Sequence, residues 1–154
     1  MPITARRLRS ATDEFFRLHW NLREAPPSWC KQPFTGVGAL DRGELPGCYA
    51  LMRDGDIVYI GSAISRGNQR YVGYGLHSRI LSYMRRDRSV RRADAQRVWS
   101  FRHGHSGIYT IGFPLKRGYL AVALEHFLVG RFQDNLENKN RVFRAPLEKA
   151  MRKV

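Results

Sequence analysis

Gly47-Cys48-Tyr49-Ala50-Leu51-Met52-Arg53-Asp54-Gly55-Asp56-Ile57-Val58-Tyr59-Ile60-Gly61 is the stretch from which the fold can be read. Two runs of apolar, β-branched and aromatic residues flank Asp54-Gly55, and Asp-Gly between two such runs is a strong hairpin signal. A two-residue loop at Asp54-Gly55 pairs Tyr49 with Ile60 and sends the two phenols to opposite faces of the ribbon. A three-residue loop at Arg53-Asp54-Gly55, with Gly55 left-handed, instead sets Tyr49 opposite Tyr59 and brings both hydroxyls into one pocket. Aromatic residues also serve as cross-strand fillers, so the hairpin alone does not separate packing from chemistry.

The rest of the chain supplies the setting. At 154 residues it suits one compact domain. Lys and Arg number 27 against 13 Asp and Glu, a net charge of +14 that implies a polyanionic partner, nucleic acid first. No stretch has the length of an apolar spanning helix, and the N-terminus lacks the charged-then-apolar layout of a signal peptide, so a non-secreted, cytoplasmic protein without a membrane partner is expected. Cys30 and Cys48 are the only cysteines and have no zinc-type spacing, so two reduced thiols are expected. His103 and His105 could share one strand face but lack further ligands.

Residues 4–24 carry Leu8, Ala11, Phe15, Leu18 and Leu22 at helical spacing between charged residues, which predicts one amphipathic helix halted by Pro26-Pro27. A loop then runs to Pro46. Residues 62–75 are rich in Gly, Ser, Asn and Arg and read as an exposed basic loop containing Arg66 and Arg70. Residues 76–84 look helical. Residues 84–97 hold six arginines in 14 positions, Arg85, Arg86, Arg88, Arg91 and Arg92 among them, a cluster dense enough to expect phosphate contact. A third strand region is expected over 98–115. Its Gly107-Ile108-Tyr109-Thr110-Ile111-Gly112 is contiguous, so its halves cannot face each other across a hairpin. Residues 119–132 predict a helix apolar on nearly every side, packed deep in the domain.

Within that helix Glu125 has Ala121, Val122, Leu128 and Val129 as its neighbours at three and four positions. A carboxylate on an apolar stripe needs a cation, a donor or protonation. A hard divalent ion is one such partner, since Mg²⁺ is held by one or two carboxylates, waters and substrate phosphate. An arginine such as Arg79, one turn before Tyr83, is another, which would make Glu125 a tie between two helices.

In this order the residues resemble the GIY-YIG nuclease family. Members carry a first tyrosine on strand one, Tyr-Ile-Gly on strand two, an arginine on the next helix, a glutamate on a later helix and an asparagine after it. The matching positions are Tyr49, Tyr59 with Gly61, Arg79, Glu125 and Asn138, with Asn135 and Asn140 as competing registers for the last. The Arg79-Ile80-Leu81-Ser82-Tyr83 and Leu124-Glu125 strings are also similar to the family pattern, and the resemblance covers residues 45–140. Cys48 replaces the usual branched residue, and Ser62 stands where many members have lysine. The long loop 62–75 is similar to that of small restriction-enzyme members.

The resemblance implies an α+β fold with a central, mainly antiparallel three-stranded sheet flanked by helices. The expected organisation is an N-terminal helix and loop over 1–45, a nuclease domain over 46–140 and a basic tail over 141–154. It further implies a Mg²⁺- or Mn²⁺-dependent endonuclease hydrolysing phosphodiester bonds in double-stranded DNA, of restriction or mobile-element type, with homodimers if both strands are cut. Tyr49, Tyr59, Arg79, Glu125 and Asn138 would form the catalytic set, with Glu125 holding the metal. Tyr49, Tyr59, Arg79 and Glu125 are expected to converge on one surface. Arg79 would stabilise charge on phosphate, and Tyr49 is favoured as the base if surrounding cations hold its phenol ionised. The rival is a non-catalytic nucleic-acid-binding module on the same basic surface.

Overall fold

In the computed structural model residues 1–21, 23–32, 40, 42–64, 75–81, 83–86, 99–101 and 104–138 are described, 84–86 and 99–101 by backbone. A four-stranded antiparallel sheet has strand order β1-β6-β2-β3. Its strands are β1 (Cys30–Lys31), β2 (Gly47–Arg53), β3 (Asp56–Ala63) and β6 (Gly107–Gly112). β4 (Met84–Arg86) and β5 (Trp99–Phe101) form a separate antiparallel ribbon. The helices are α1 (Ala5–His19), α2 (Leu76–Leu81) and α3 (Tyr119–Phe132). The class is α+β, and the sheet has four strands where three were expected, because β1 adds to β6 through Cys30 opposite Thr110 and Lys31 opposite Tyr109.

The sheet is covered on both faces. On one, α1 and α3 bury Leu8, Phe15, Leu124 and Leu128 against Cys48, Ala50, Ile57, Ile60 and Ile111. On the other, Leu76 and Ile80 of α2 pack with Tyr49, Leu51 and Ile108. Ile3, Leu8, Ala11, Phe15, Phe16 and Trp29 bring the N-terminal segment into this core. The Ile57 amide donates to the Ile3 carbonyl at 2.9 Å, and buried Trp29 donates from Nε1 to the Thr12 hydroxyl at 2.7 Å.

Several elements end elsewhere than the sequence suggests. α1 is capped by the Thr4 hydroxyl accepting from the Arg7 amide, and it stops at His19, well before Pro26. Trp20 turns to extended backbone and rests its ring edge-on against Phe16. Leu18, expected on the inner stripe, is 67% exposed, while Thr12 and Phe16 are buried; Leu22 lies outside the described residues. Residue 84 belongs to β4, not to α2, and 98–115 divides into β5 and β6 on different sheets. α3 has the expected bounds, but it is not surrounded by protein: Tyr119 and Val122 face solvent. The tail 141–154 lies outside the described residues.

The hairpin turn is tight. Asp54 and Gly55 both take positive φ, 52° and 89°, as a two-residue turn of right-handed strands requires. Arg53 pairs with Asp56 and Met52 with Ile57, but Leu51 pairs with Tyr59, leaving Val58 as an extra residue in a β-bulge. Neither simple register anticipated from the sequence is therefore present. The loop is the two-residue one, and the bulge restores Tyr59 to the face that this loop would otherwise deny it, because a one-residue slip reverses side-chain direction. The contiguous Gly107–Gly112 string occupies β6 alone, with Tyr109 in the core on the opposite face from Tyr49.

Candidate active site

Tyr49 and Tyr59 lie on the same side of the hairpin with ring centroids 6.1 Å apart and planes inclined by 27°. Tyr83, just beyond α2, completes a three-ring cluster at 5.6 Å from Tyr49 and 5.7 Å from Tyr59. The Tyr49 and Tyr83 hydroxyls share a hydrogen bond of 3.0 Å. Room for the Tyr49 ring comes from its cross-strand partner Gly61. A Cβ at Gly61 would lie 2.5 Å from both Cζ and the hydroxyl of Tyr49. Arg79, exposed on α2, comes to the same phenol. The Tyr49 hydroxyl pushes the guanidinium pKa further up, and Arg79 in return opposes the rise at Tyr49.

The Tyr49 and Tyr59 phenols are held protonated. Burial raises the Tyr49 pKa well above its ordinary value, followed by the hydrogen bond to Tyr83 and the nearby phenols. Tyr59 is pushed up to about 12, again by burial first and then by Tyr83, with a smaller contribution from the charge of Glu125. The expected cationic lowering is outweighed because Tyr49 is wholly buried and Tyr59 partly so. This weighs against Tyr49 as base more than against Tyr59, whose rise is the smaller. Tyr59, on the edge strand, has the better access to solvent.

Glu125 approaches the sheet from the other side. Cys48 and Ser62 are cross-strand partners directed at α3. The Cys48 thiol donates to the Ala121 carbonyl at 2.8 Å, and the Ser62 hydroxyl donates to Oε2 of Glu125. Burial pushes the Cys48 thiol up, with the Glu125 charge adding to it; Cys30 is a free, exposed thiol. Tyr49, Tyr59 and Arg79 thus come together as expected. Glu125 stands instead across the edge strand from them, near enough for its charge to act on Tyr59. Its partner is a serine hydroxyl and not the arginine that the helix-tie reading requires.

Asn138 is bound to the outer edge of β3. Its Nδ2 donates to the Ile60 carbonyl at 2.6 Å and its Oδ1 accepts from the Ile60 amide at 3.1 Å. Asn135 is exposed, and residue 140 lies outside the described residues. Arg66, Arg70, Arg88, Arg91 and Arg92 also lie outside them, while Arg85 and Arg86 belong to β4.

Among the described residues no three His, Cys, Asp or Glu side chains gather at one point. A single partly exposed carboxylate beside a hydroxyl nevertheless suits Mg²⁺ or Mn²⁺, which complete their shells with water and phosphate oxygens. Among the described residues no helix is long and apolar enough to cross a membrane. Two site features escape a reading of the sequence. Tyr83 appears there only as the end of the Arg79–Tyr83 string and Ser62 only as the residue after Gly61, while their contacts with Tyr49 and Glu125 are not legible. No family model, curated protein or solved structure matches the chain.

Proposed function

We propose that the protein is a divalent-metal-dependent endonuclease of GIY-YIG type acting on double-stranded DNA. The observation that supports this reading most is the convergence of Tyr49, Tyr59 and Arg79 on one sheet face, achieved through a bulge and a glycine that leaves space for a phenol. Arg79 would stabilise charge developing on the scissile phosphate. Tyr59 would accept the proton of the attacking water, and Tyr49 with Tyr83 would orient it. Glu125, steadied by Ser62, would hold Mg²⁺ or Mn²⁺, which when bound supplies Lewis acidity at a phosphate oxygen. Cleavage of both strands by one site per chain would call for a homodimer. A restriction or mobile-element setting is compatible with this chemistry.

Incubation with supercoiled plasmid should give nicked circles in Mg²⁺ and none in excess chelator. Because the Tyr59 phenol is pushed up to about 12, its ionised fraction rises about tenfold per pH unit below that value. The single-turnover rate should therefore climb steadily from pH 7 to 9. A rate flat over that interval would take the proton-accepting role from Tyr59.

The placement of Glu125 on the opposite side of the sheet favours a second reading, a nucleic-acid-binding module without catalysis. Both readings use the arginine run. Replacing Arg85, Arg86, Arg91 and Arg92 by alanine should weaken DNA binding alike for all sequences. It should also flatten the plot of log affinity against log salt by about 0.9 for each phosphate that is no longer neutralised. Fluorescence anisotropy at several salt concentrations measures this, and a weakening confined to one sequence would make these arginines base readers.

A further inference from the structure

Val58 decides which face Tyr59 occupies, so whatever holds the bulge holds the site. From the core, Ile57 and Ile60 are both fully buried on the α1–α3 side although three positions apart, a spacing that an uninterrupted strand cannot direct to one face. From outside, residues 136–138 run along the free edge of β3. The Glu137 amide donates to the carbonyl of Val58 at 2.7 Å. The Asn138 side chain occupies both the amide and the carbonyl of Ile60. Glu137 is also tied to Arg53, the last residue before the turn, by an ion pair whose second contact is 3.2 Å. Leu136 anchors the segment in the core.

We infer that residues 136–138 are a register clasp. They keep β3 in its bulged alignment and so hold Tyr59 against Tyr49 and Tyr83, with Asn138 acting as a positioning residue through the strand and not on substrate. The functional importance of this clasp rests on the nuclease reading; the structural effect does not. Tyr49 belongs to β2, between two other strands, and is fixed independently of the clasp. Only Tyr59 depends on it.

The test is NMR on the full chain carrying Asn138→Ala. The expected result is disappearance of the Tyr59–Tyr83 ring proximity with that of Tyr49 and Tyr83 preserved. Exchange of the Ile60 amide should accelerate by about two- to tenfold, as removal of one hydrogen bond implies. Should that variant fail to fold, Arg53→Gln removes the ion pair to Glu137 while leaving the Asn138 side chain in place, and should speed Ile60 exchange to a smaller degree. Unchanged ring packing and unchanged Ile60 exchange in the variant tested overturn the clasp. So does a variant with all three rings in place that no longer nicks plasmid in Mg²⁺, since Asn138 must then meet the substrate. Separation of Tyr59 from the other rings with nicking retained upholds the clasp and removes Tyr59 from the nuclease reading.

Discussion

Glu125→Gln is expected to lower Mg²⁺-dependent nicking by more than about a hundredfold while leaving the fold in place. Groups that merely support a metal ligand cost 10- to 100-fold when removed, as an order of magnitude, so loss of the ligand's own charge should cost more. Glutamine keeps the length of the side chain and retains an oxygen to accept from the Ser62 hydroxyl. Because Glu125 makes no ion pair among the described residues, neutralising it leaves no buried cation without a partner. The stability change should stay within about 1 kcal/mol, or roughly 2–4 °C in Tm. Nicking and thermal melting are to be measured on the same preparation. A variant that melts early yet still cuts would return Glu125 to a structural role and leave the metal without its proposed ligand.

Gly61→Ala should be the most destructive single-methyl change at the site. The added carbon would have to sit 2.5 Å from Tyr49 Cζ and its hydroxyl oxygen, and the Tyr49 ring, wholly buried between strands and α2, has no free space to enter. Overpacking of this kind costs about 1–3 kcal/mol, and the displaced hydroxyl also forfeits its bond to Tyr83, worth about 1 kcal/mol. A Tm lower by about 10 °C and separation of the Tyr49 and Tyr83 rings are expected. Gly130→Ala is the matched control. Nothing lies within 4 Å of the added methyl in α3, and alanine is the better helix former, so this change should stabilise by about 0.5–1 kcal/mol. Equal effects at the two positions would mean that Gly61 is not shaped to the phenol.

What the sequence discloses follows from how local each signal is. The hairpin depends on Asp54-Gly55 and its flanks, and α3 on a long apolar run, so both are legible with nearly correct bounds. The bulge depends on a core that no single strand defines. Its one trace is Ile57 and Ile60, apolar at a spacing of three where an alternating strand wants two or four. The early end of α1 is hidden because Leu18 and Leu22 continue the helical rhythm past the point where tertiary contacts support it. At the site, the tyrosine pair and Arg79 are readable from order along the chain, since a hairpin and the helix after it are neighbours by construction. Glu125 is not, because helical periodicity reports that a carboxylate faces the sheet but not from which side the helix packs. At Asn138 the order along the chain names the residue but not its partner, which is a backbone 78 residues away.

The Asn138 amide has one more consequence, for assembly. A carboxamide carries the same donor and acceptor as a peptide unit, and here it satisfies two of the groups that an incoming strand would seek on β3, those of Ile60. The opposite margin of the sheet is β1, only two residues long. Among the described residues, extension of the four-stranded sheet into a second molecule therefore meets an occupied position on one border and almost no length on the other. On the proposed nuclease reading, two such chains on DNA would not be spaced by the strand repeat of this sheet.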